Sequence, residues 1–483
     1  MNIYSTLPQR HAKTSIRPYR IISLTLVLTA IFGASPLWGQ APEGSIQPGD
    51  EKLYSARNAE NMRASQQIKK EINKDITGID FDYNHIIFDG QSLSVGADSK
   101  IAISMTQEHG NVMIGNKVAY DSTRAKIFSP LTGLGANDEH PIVGAVNLFK
   151  ALYEKQLNQK GNRVFIGSSC GSSGKAIEQL SKGAYINLWE RVEGSMAAAK
   201  EISSKENKSY GIAALCWVQG ETNYSPSGDF AATKEGYKEK LKQFRDDFLK
   251  TGMGISNQPN IPAFVTYQTS GAYTNDTNGL AIGMAQWELT QEVPGCYLAT
   301  PSYPFTDYGG HLTANGYRWM GAQFGKVLDK VMVRREKWKP LSPIKAKREG
   351  RTLSIDFHVP EPPLVFDSPY IGRNKPELAK NKGFNVYDGN AEVRISSIRI
   401  VADTIVEIVC ERDFVGDVYV RYASKLFFDG NGYLRDSDPA VSEDTYVFDP
   451  NCQQQRPDEN IPDLVNKPYP LYNWCIAFNL KVE

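Results

Sequence analysis

Over residues 81–337, short apolar runs alternate with longer stretches of helical periodicity, and no other feature constrains the fold as tightly. Ile86–Phe88, Val164–Gly167, Ile212–Val218, Ala263–Tyr267 and Cys296–Ala299 are short and contain β-branched or aromatic residues, so each reads as a buried strand. Ile142–Gln156, Ile186–Ile202, Phe230–Leu249 and Asn315–Val333 read as amphipathic helices. Within Phe230–Leu249, Tyr237, Leu241, Phe244 and Phe248 fall on one helical face. Strands that alternate with helices pair in parallel through right-handed crossovers, which predicts an α/β doubly wound sheet.

Beyond Lys337 the texture changes. Pro340-Leu341-Ser342-Pro343 reads as a linker. Leu353–His358, Phe384–Tyr387, Glu392–Ile400, Ile405–Cys410 and Asp417–Tyr422 are short runs punctuated by Gly, Asp, Asn and Pro, an all-β pattern expected to form a sandwich. Trp474–Phe478 is the expected last strand. A chain of 483 residues exceeds one ordinary domain. The expected division is a signal peptide over 1–39, an N-terminal arm or helix over 40–80, an α/β domain over 81–337 and a β-sandwich-like domain over 338–483.

The first segment carries an address. Arg10, Lys13, Arg17 and Arg20 precede the apolar stretch Ile21–Ala34, and Gly39-Gln40-Ala41 offers a cleavage neighbourhood. This pattern resembles a secretory signal and implies a secreted or periplasmic product, with no other membrane association. Export permits disulfides. The six cysteines lack metal-ligand spacing, and Cys452 with Cys475 is the pair expected first. Basic and acidic residues balance at 54 each, which argues against a nucleic-acid partner. The seven Trp and 24 Tyr serve either core packing or sugar stacking, and composition does not separate the two.

Three segments carry candidate chemistry. Gly90-Gln91-Ser92 ends the first apolar run, so Ser92 stands at the carboxyl end of a strand, where open α/β sheets place their sites. Ser92 is the candidate nucleophile, with Ser94 a less favoured neighbour. His311, in Asp307-Tyr308-Gly309-Gly310-His311, is the candidate base, and Asp307 precedes it closely enough to orient the ring. Oxyanion donors are expected from the Ser92 N–H, from Gly174 or Gly171 in the Gly-rich turn after the second buried strand, and from the Gln219 side chain. In Trp217-Val218-Gln219-Gly220-Glu221-Thr222-Asn223, Glu221 and Asn223 brace the loop or bind substrate hydroxyls, with Gln91 and Trp217 in the same class. Glu221 is a second option as partner of His311. No metal or cofactor is required.

On these motifs, residues 81 to 335 resemble the SGNH hydrolase superfamily, in its branch of sialate O-acetylesterase and acetylxylan esterase-like carbohydrate esterases. Gly90-Gln91-Ser92, Trp217 to Glu221, and the late pair Asp307 and His311 match that branch. Leu93 stands where Asn is usual, and three residues rather than two separate Asp307 from His311. The resemblance implies a flavodoxin-like three-layer αβα fold, a metal-free acyl-enzyme mechanism, and an acetylated polysaccharide or glycan as substrate. The rival expectations are an esterase or lipase for non-carbohydrate esters, and a non-catalytic glycan binder on a decayed esterase fold.

Overall fold

Helix α1 (Asp50–Lys70) is followed by β1 (Tyr83–Gly90), β2 (Val112–Ile114), β3 (Phe128–Pro130), α2 (Pro141–Leu157), β4 (Val164–Ser169), the short α3 (Ile177–Leu180), α4 (Trp189–Lys205), β5 (Tyr210–Val218), α5 (Lys234–Ser256), β6 (Ala263–Gln268), α6 (Ala281–Glu292), β7 (Cys296–Pro301) and α7 (Ala314–Leu328). The computed structural model describes residues 50–133, 138–224, 230–272, 274, 279–307, 309–370 and 376–483. The export signal expected over 1–39 lies outside the described residues, as does the start of the 40–80 arm.

The seven strands form one sheet in the order β3-β2-β4-β1-β5-β6-β7, parallel except for the β2–β3 pair. Side chains alternate across a strand. Ile86 and Phe88 of β1 therefore join the core under α2 and α7, while Ile87 joins the core under α4 and α5. The result is a three-layer αβα sandwich with β1 at its centre. Local chemistry sets the helix ends. Thr233 caps α5 by accepting from Gly236 N–H, Thr313 caps α7 by accepting from Gly316 N–H, and Pro141 opens α2.

Helices α2 and α7 approach unusually closely because glycines line their seam. A Cβ at Gly321 would lie 2.0 Å from Pro141 O, and one at Gly325 2.4 Å from Ala145 O. This contact buries α7 along its whole length and fixes the segment just before it, which carries His311.

The C-terminal region is all-β. It contains β8 (Ser342–Glu349), β9 (Thr352–His358), β10 (Val365–Phe366), β11 (Phe384–Asp388), β12 (Ala391–Val393), β13 (Ile395–Ala402), β14 (Ile405–Cys410), β15 (Val418–Tyr422), β16 (Leu434–Arg435), β17 (Val441–Thr445), β18 (Pro468–Pro470) and β19 (Phe478–Lys481). Two four-stranded antiparallel sheets, β13-β14-β9-β8 and β12-β11-β15-β19, share a core in which Phe357 and Phe384 meet Phe478. This is a sandwich-like layer. Ser342 and Pro343, read as linker, already pair with His358 and Phe357 in β8. The last strand begins at Phe478 rather than Trp474, which forms only an isolated bridge to Arg435.

The expected Cys452–Cys475 disulfide is absent. All six cysteines are free, Cys475 is buried, and Cys452 lies in a partly exposed turn. The arm is helix α1, and it straps the β13-β14-β9-β8 sheet. Arg57 meets Asp356 through two hydrogen bonds of 2.7 and 3.2 Å and donates a third to Ser354 Oγ. Tyr54 donates to Glu407 at 2.6 Å. Asp356 is fully buried, with Lys345 Nζ a more distant cation at 4.0 Å, so Arg57→Ala removes the two hydrogen bonds that hold its carboxylate. A loss on the order of 3 kcal/mol is expected in urea unfolding, and a loss below ~0.5 kcal/mol would show that α1 is not held by this pair.

His85, at the middle of β1, contacts Tyr210 Oη through Nδ1 and Ser168 Oγ through Nε2, each at 2.9 Å. Burial pushes its pKa down to about 3, against about 6.5 in the unfolded chain. The unfolded chain binds the extra proton between those values. His85 therefore contributes stability that is present above about pH 6.5 and lost as pH falls through that window. His85→Gln should flatten the acid limb of the stability profile by up to about 1.4 kcal/mol per pH unit. Urea midpoints measured across the window check this, and an unchanged slope would contradict it.

Candidate active site

The turn after β1 is built on a close approach. Gly90 has φ +140°, and a Cβ there would lie 2.0 Å from Val218 O of β5. Gln91 N–H donates to that same carbonyl at 2.9 Å. Ser92 opens a short 3-10 turn through Ser94. Ser94 is fully buried and its Oγ donates to Gln91 O at 2.6 Å, which leaves Ser92 as the hydroxyl available for chemistry.

Gln91 ties this turn to the loop after β5. Its Oε1 accepts from Gly220 N–H at 3.3 Å and Thr222 N–H at 3.0 Å. On the other flank, the residues after β4 fold against the same turn. Ser172 N–H donates to Gly90 O at 2.9 Å, and a Cβ at Gly171 would lie 2.0 Å from Ser94 Oγ. Gly174 has φ +67° and no atom within 4 Å of its Cβ position. Of the two glycines considered as donors, Gly171 is the one pressed against the Ser92 turn.

His311 reaches the same edge of the sheet from the β7–α7 connection. Ser92 O accepts from Ala97 N–H at 3.1 Å, and Ala97 O accepts from Tyr317 Oη of α7 at 2.8 Å. The next residue, Asp98, holds His311: its Oδ2 lies 2.6 Å from His311 Nδ1. This differs from the sequence expectation. Asp307 Oδ1 accepts from Gly309 N–H at 2.7 Å, and Asp307 bridges backbone to Leu312. Asp98, at φ +62°, was not singled out from sequence because its partner lies 213 residues away. Its nearness to Ser92 in the chain was the available signal. The bond of His311 Nδ1 is to Asp98, and among the described residues none joins the imidazole to Ser92 Oγ.

The Trp217–Asn223 block is mostly scaffold. Trp217 is fully buried and packs on Phe244 with ring centroids 4.2 Å apart, so it is not a sugar platform. Gln219, expected as an oxyanion donor, has its amide committed elsewhere. Its Nε2 donates to Asn223 Oδ1 at 2.7 Å and Lys175 O at 3.2 Å, and its Oε1 accepts from Tyr237 Oη at 2.7 Å. A fully buried carboxamide must satisfy both N–H groups, and here the loop satisfies them. Asn223 likewise donates to Glu178 and Ala231 O. Glu221 Oε1 accepts from Tyr267 Oη and from Thr269 Oγ1. Its Oε2 is buried without a hydrogen-bond partner among the described residues. Burial raises the Glu221 pKa, while the two hydroxyls and the His311 charge pull it back.

Electrostatics mark the base of the site as well. Asp89, just before the Gly90 turn, is buried, which pushes its pKa up to about 7 against the pull of Gly90 N–H and Arg191. His140 and His358 are buried, with pKa values pushed down to about 4 by desolvation, so neither resembles a shuttle at neutral pH. Among the described residues, no three His, Cys, Asp or Glu side chains group as metal ligands would.

No family model matches the chain, and no curated protein matches it. Solved structures do. One is a carbohydrate acetylesterase from Xanthomonas citri, 13% identical, with a TM-score of 0.50 over 72% of this chain and 77% of that one. Others are a protein from Arabidopsis thaliana, 14% identical over 51% of this chain and 97% of that one with a TM-score of 0.37, and NanS, 10% identical over 52% and 98% with a TM-score of 0.33. The mostly parallel seven-stranded sheet, the serine turn at its carboxyl edge and the first of these likenesses together give the chain the fold of the SGNH esterases.

Proposed function

We propose that this protein is an exported serine esterase that removes O-acetyl groups from a glycan. The observation that carries the reading is the shared edge: Ser92 sits on the tip of β1, and a loop that begins at Ser92 ends on the imidazole of His311 through Asp98. Ser92 Oγ attacks the acetyl carbonyl while His311 Nε2 takes its proton. Asp98 holds Nδ1 as the donor and stabilises the imidazolium. The oxyanion is received by the Ser92 N–H and by an amide of the 171–174 turn, at Gly171 or Gly174. His311 then protonates the departing sugar hydroxyl, and water resolves the acetyl-enzyme by the same route. Catalytic hydrogen bonds commonly tighten only when substrate is bound, which accommodates a Ser92 that does not yet touch the imidazole. The catalytic unit is proposed to be the 81–337 domain, with 338–483 an accessory domain.

Ser92→Ala should lower acetate release by about 1,000-fold or more while leaving the unfolding midpoint unchanged. Retention of full activity by a folded variant would remove the nucleophile from the proposal. The two carboxylates separate by measurement. Asp98→Asn should reduce kcat roughly 100-fold, because the wrong tautomer is then favoured, whereas Asp307→Asn should stay within about threefold of the parent, as a substitution away from the reacting atoms does. The reverse order in steady-state kinetics would return the orienting role to Asp307.

A further inference from the structure

A polar cavity lies at the same edge of the sheet, on the β4 flank, and the reaction just described makes no use of it. Its volume is about 520 Å³, within the range of specific ligand sites. Lys117, Tyr120, Asp121, Ser122, Glu190 and Arg191 line it.

Two connections link this cavity to the Ser92 turn. The chain leaving β2 runs alongside the carboxyl end of β4: Ser169 N–H donates to Val118 O at 3.0 Å and Tyr120 N–H to Ser169 O at 2.8 Å. On its other side Ser169 pairs with Phe88 of β1. The cavity wall is therefore two strand spacings from β1, a distance of about 10 Å. The second connection is Arg191, whose Nη1 donates to Gly171 O at 2.8 Å. Gly171 is the residue pressed against Gly90 and Ser94.

The lining selects a ligand class. Two cations, Lys117 and Arg191, face two anions, Asp121 and Glu190, so the walls carry no net charge. That balance gives no advantage to a polyanion or a cation. An acyl chain would bury charged and hydroxyl groups without hydrogen bonds, at a cost. Hydroxyls from Tyr120 and Ser122, ionic groups able to donate or accept, and one phenol ring suit a neutral, hydroxyl-rich ring system.

We propose that this cavity is a subsite for the unacetylated sugar units of a neutral glycan whose acetylated unit occupies the Ser92 site. The proposal rests on the esterase reading above and names the substrate class. It makes Tyr120, Lys117 and Glu190 specificity residues that never touch the reacting atoms.

Steady-state acetate release would be measured on neutral acetylated xylo-oligosaccharides of increasing length, on an acetylated galacturonan as the anionic counterpart, and on a small aryl acetate. In the parent, KM should fall as the neutral chain lengthens. Tyr120→Ala should raise KM for the longer neutral chains about tenfold, with kcat and aryl acetate turnover unchanged. Glu190→Ala, on the exposed rim, should move KM in the same direction and serves if Tyr120→Ala does not fold. A KM independent of chain length, an equal gain with the galacturonan, or unchanged KM in a folded Tyr120→Ala would each overturn the subsite. Failure of the esterase reading looks different, because aryl acetate hydrolysis would then survive Ser92→Ala. In that event calorimetry of the Ser92→Ala protein with the neutral oligosaccharide reads the subsite alone. Binding that Tyr120→Ala weakens tenfold supports it, and no binding overturns it.

Discussion

The candidate site depends on how tightly the tip of β1 is held against β5. The carbonyl of Val218 occupies the space that a side chain at position 90 would need, and it accepts the Gln91 N–H. Backbone sterics thus set where Ser92 begins. Gln91 fastens the turn from the far side by accepting two amides of the β5 loop. Gly171 closes the near side. Three loops from three adjacent parallel strands are locked together through backbone contacts, which cost little entropy beyond that of the strands themselves. The position of Ser92 is preorganised because its supports are main-chain groups and one side chain, Gln91, that two amides pin in place.

His311 is held by a different principle. Helix α7 carries His311 at its entry and is buried on every side, between α2 and the C-terminal region. Its polar side chains therefore bond to the C-terminal chain: Arg318 donates to Tyr469 Oη and Thr445 O, Trp319 to Pro470 O, Gln323 to Tyr472 O, and Asn315 exchanges two bonds with Val447. Lys326 is buried among Asp438, Asn473 and Leu471 O. Burial lowers its pKa, and the acidic neighbours offset only part of that shift. Removing one partner from such a network leaves an uncompensated charge. The β-sandwich layers thereby stabilise the helix that follows His311, so the C-terminal region and the α/β sheet are coupled through α7 rather than merely tethered.

How much of this was legible follows from burial. Strands covered on both faces write themselves as apolar runs, and β1, β4, β5, β6 and β7 were all readable. β2 and β3 are three residues each, and β8 alternates Lys, Arg and Glu on an exposed face, so none of them produced a run. Helix α6, with Gly283, Gln286 and Glu292 among its residues, also lacked a clear stripe. At the site, the types of residue were visible but their directions were not. Trp217 and Gln219 face inward because β5 is sandwiched between two helical layers, and nothing in the local string distinguishes that from facing a ligand. Asp98 was passed over because its meaning lies in a contact made across more than two hundred positions of chain.

Asp98 and Glu221 also differ in a way that bears on the proposed chemistry. The Asp98 side chain is 66% exposed and His311 18%, so water screens their attraction. Glu221 is buried, is partnered through only one oxygen, and feels the His311 charge at a distance. On the proposed mechanism these are complementary. A hydrogen-bonded but solvated carboxylate fixes the tautomer of the ring. A buried carboxylate farther away biases the site toward the imidazolium that forms when Ser92 attacks, and low dielectric makes that bias felt over a longer reach. A substrate that covers Asp98 would exclude the screening water and strengthen its hold on the ring at the moment the charge appears.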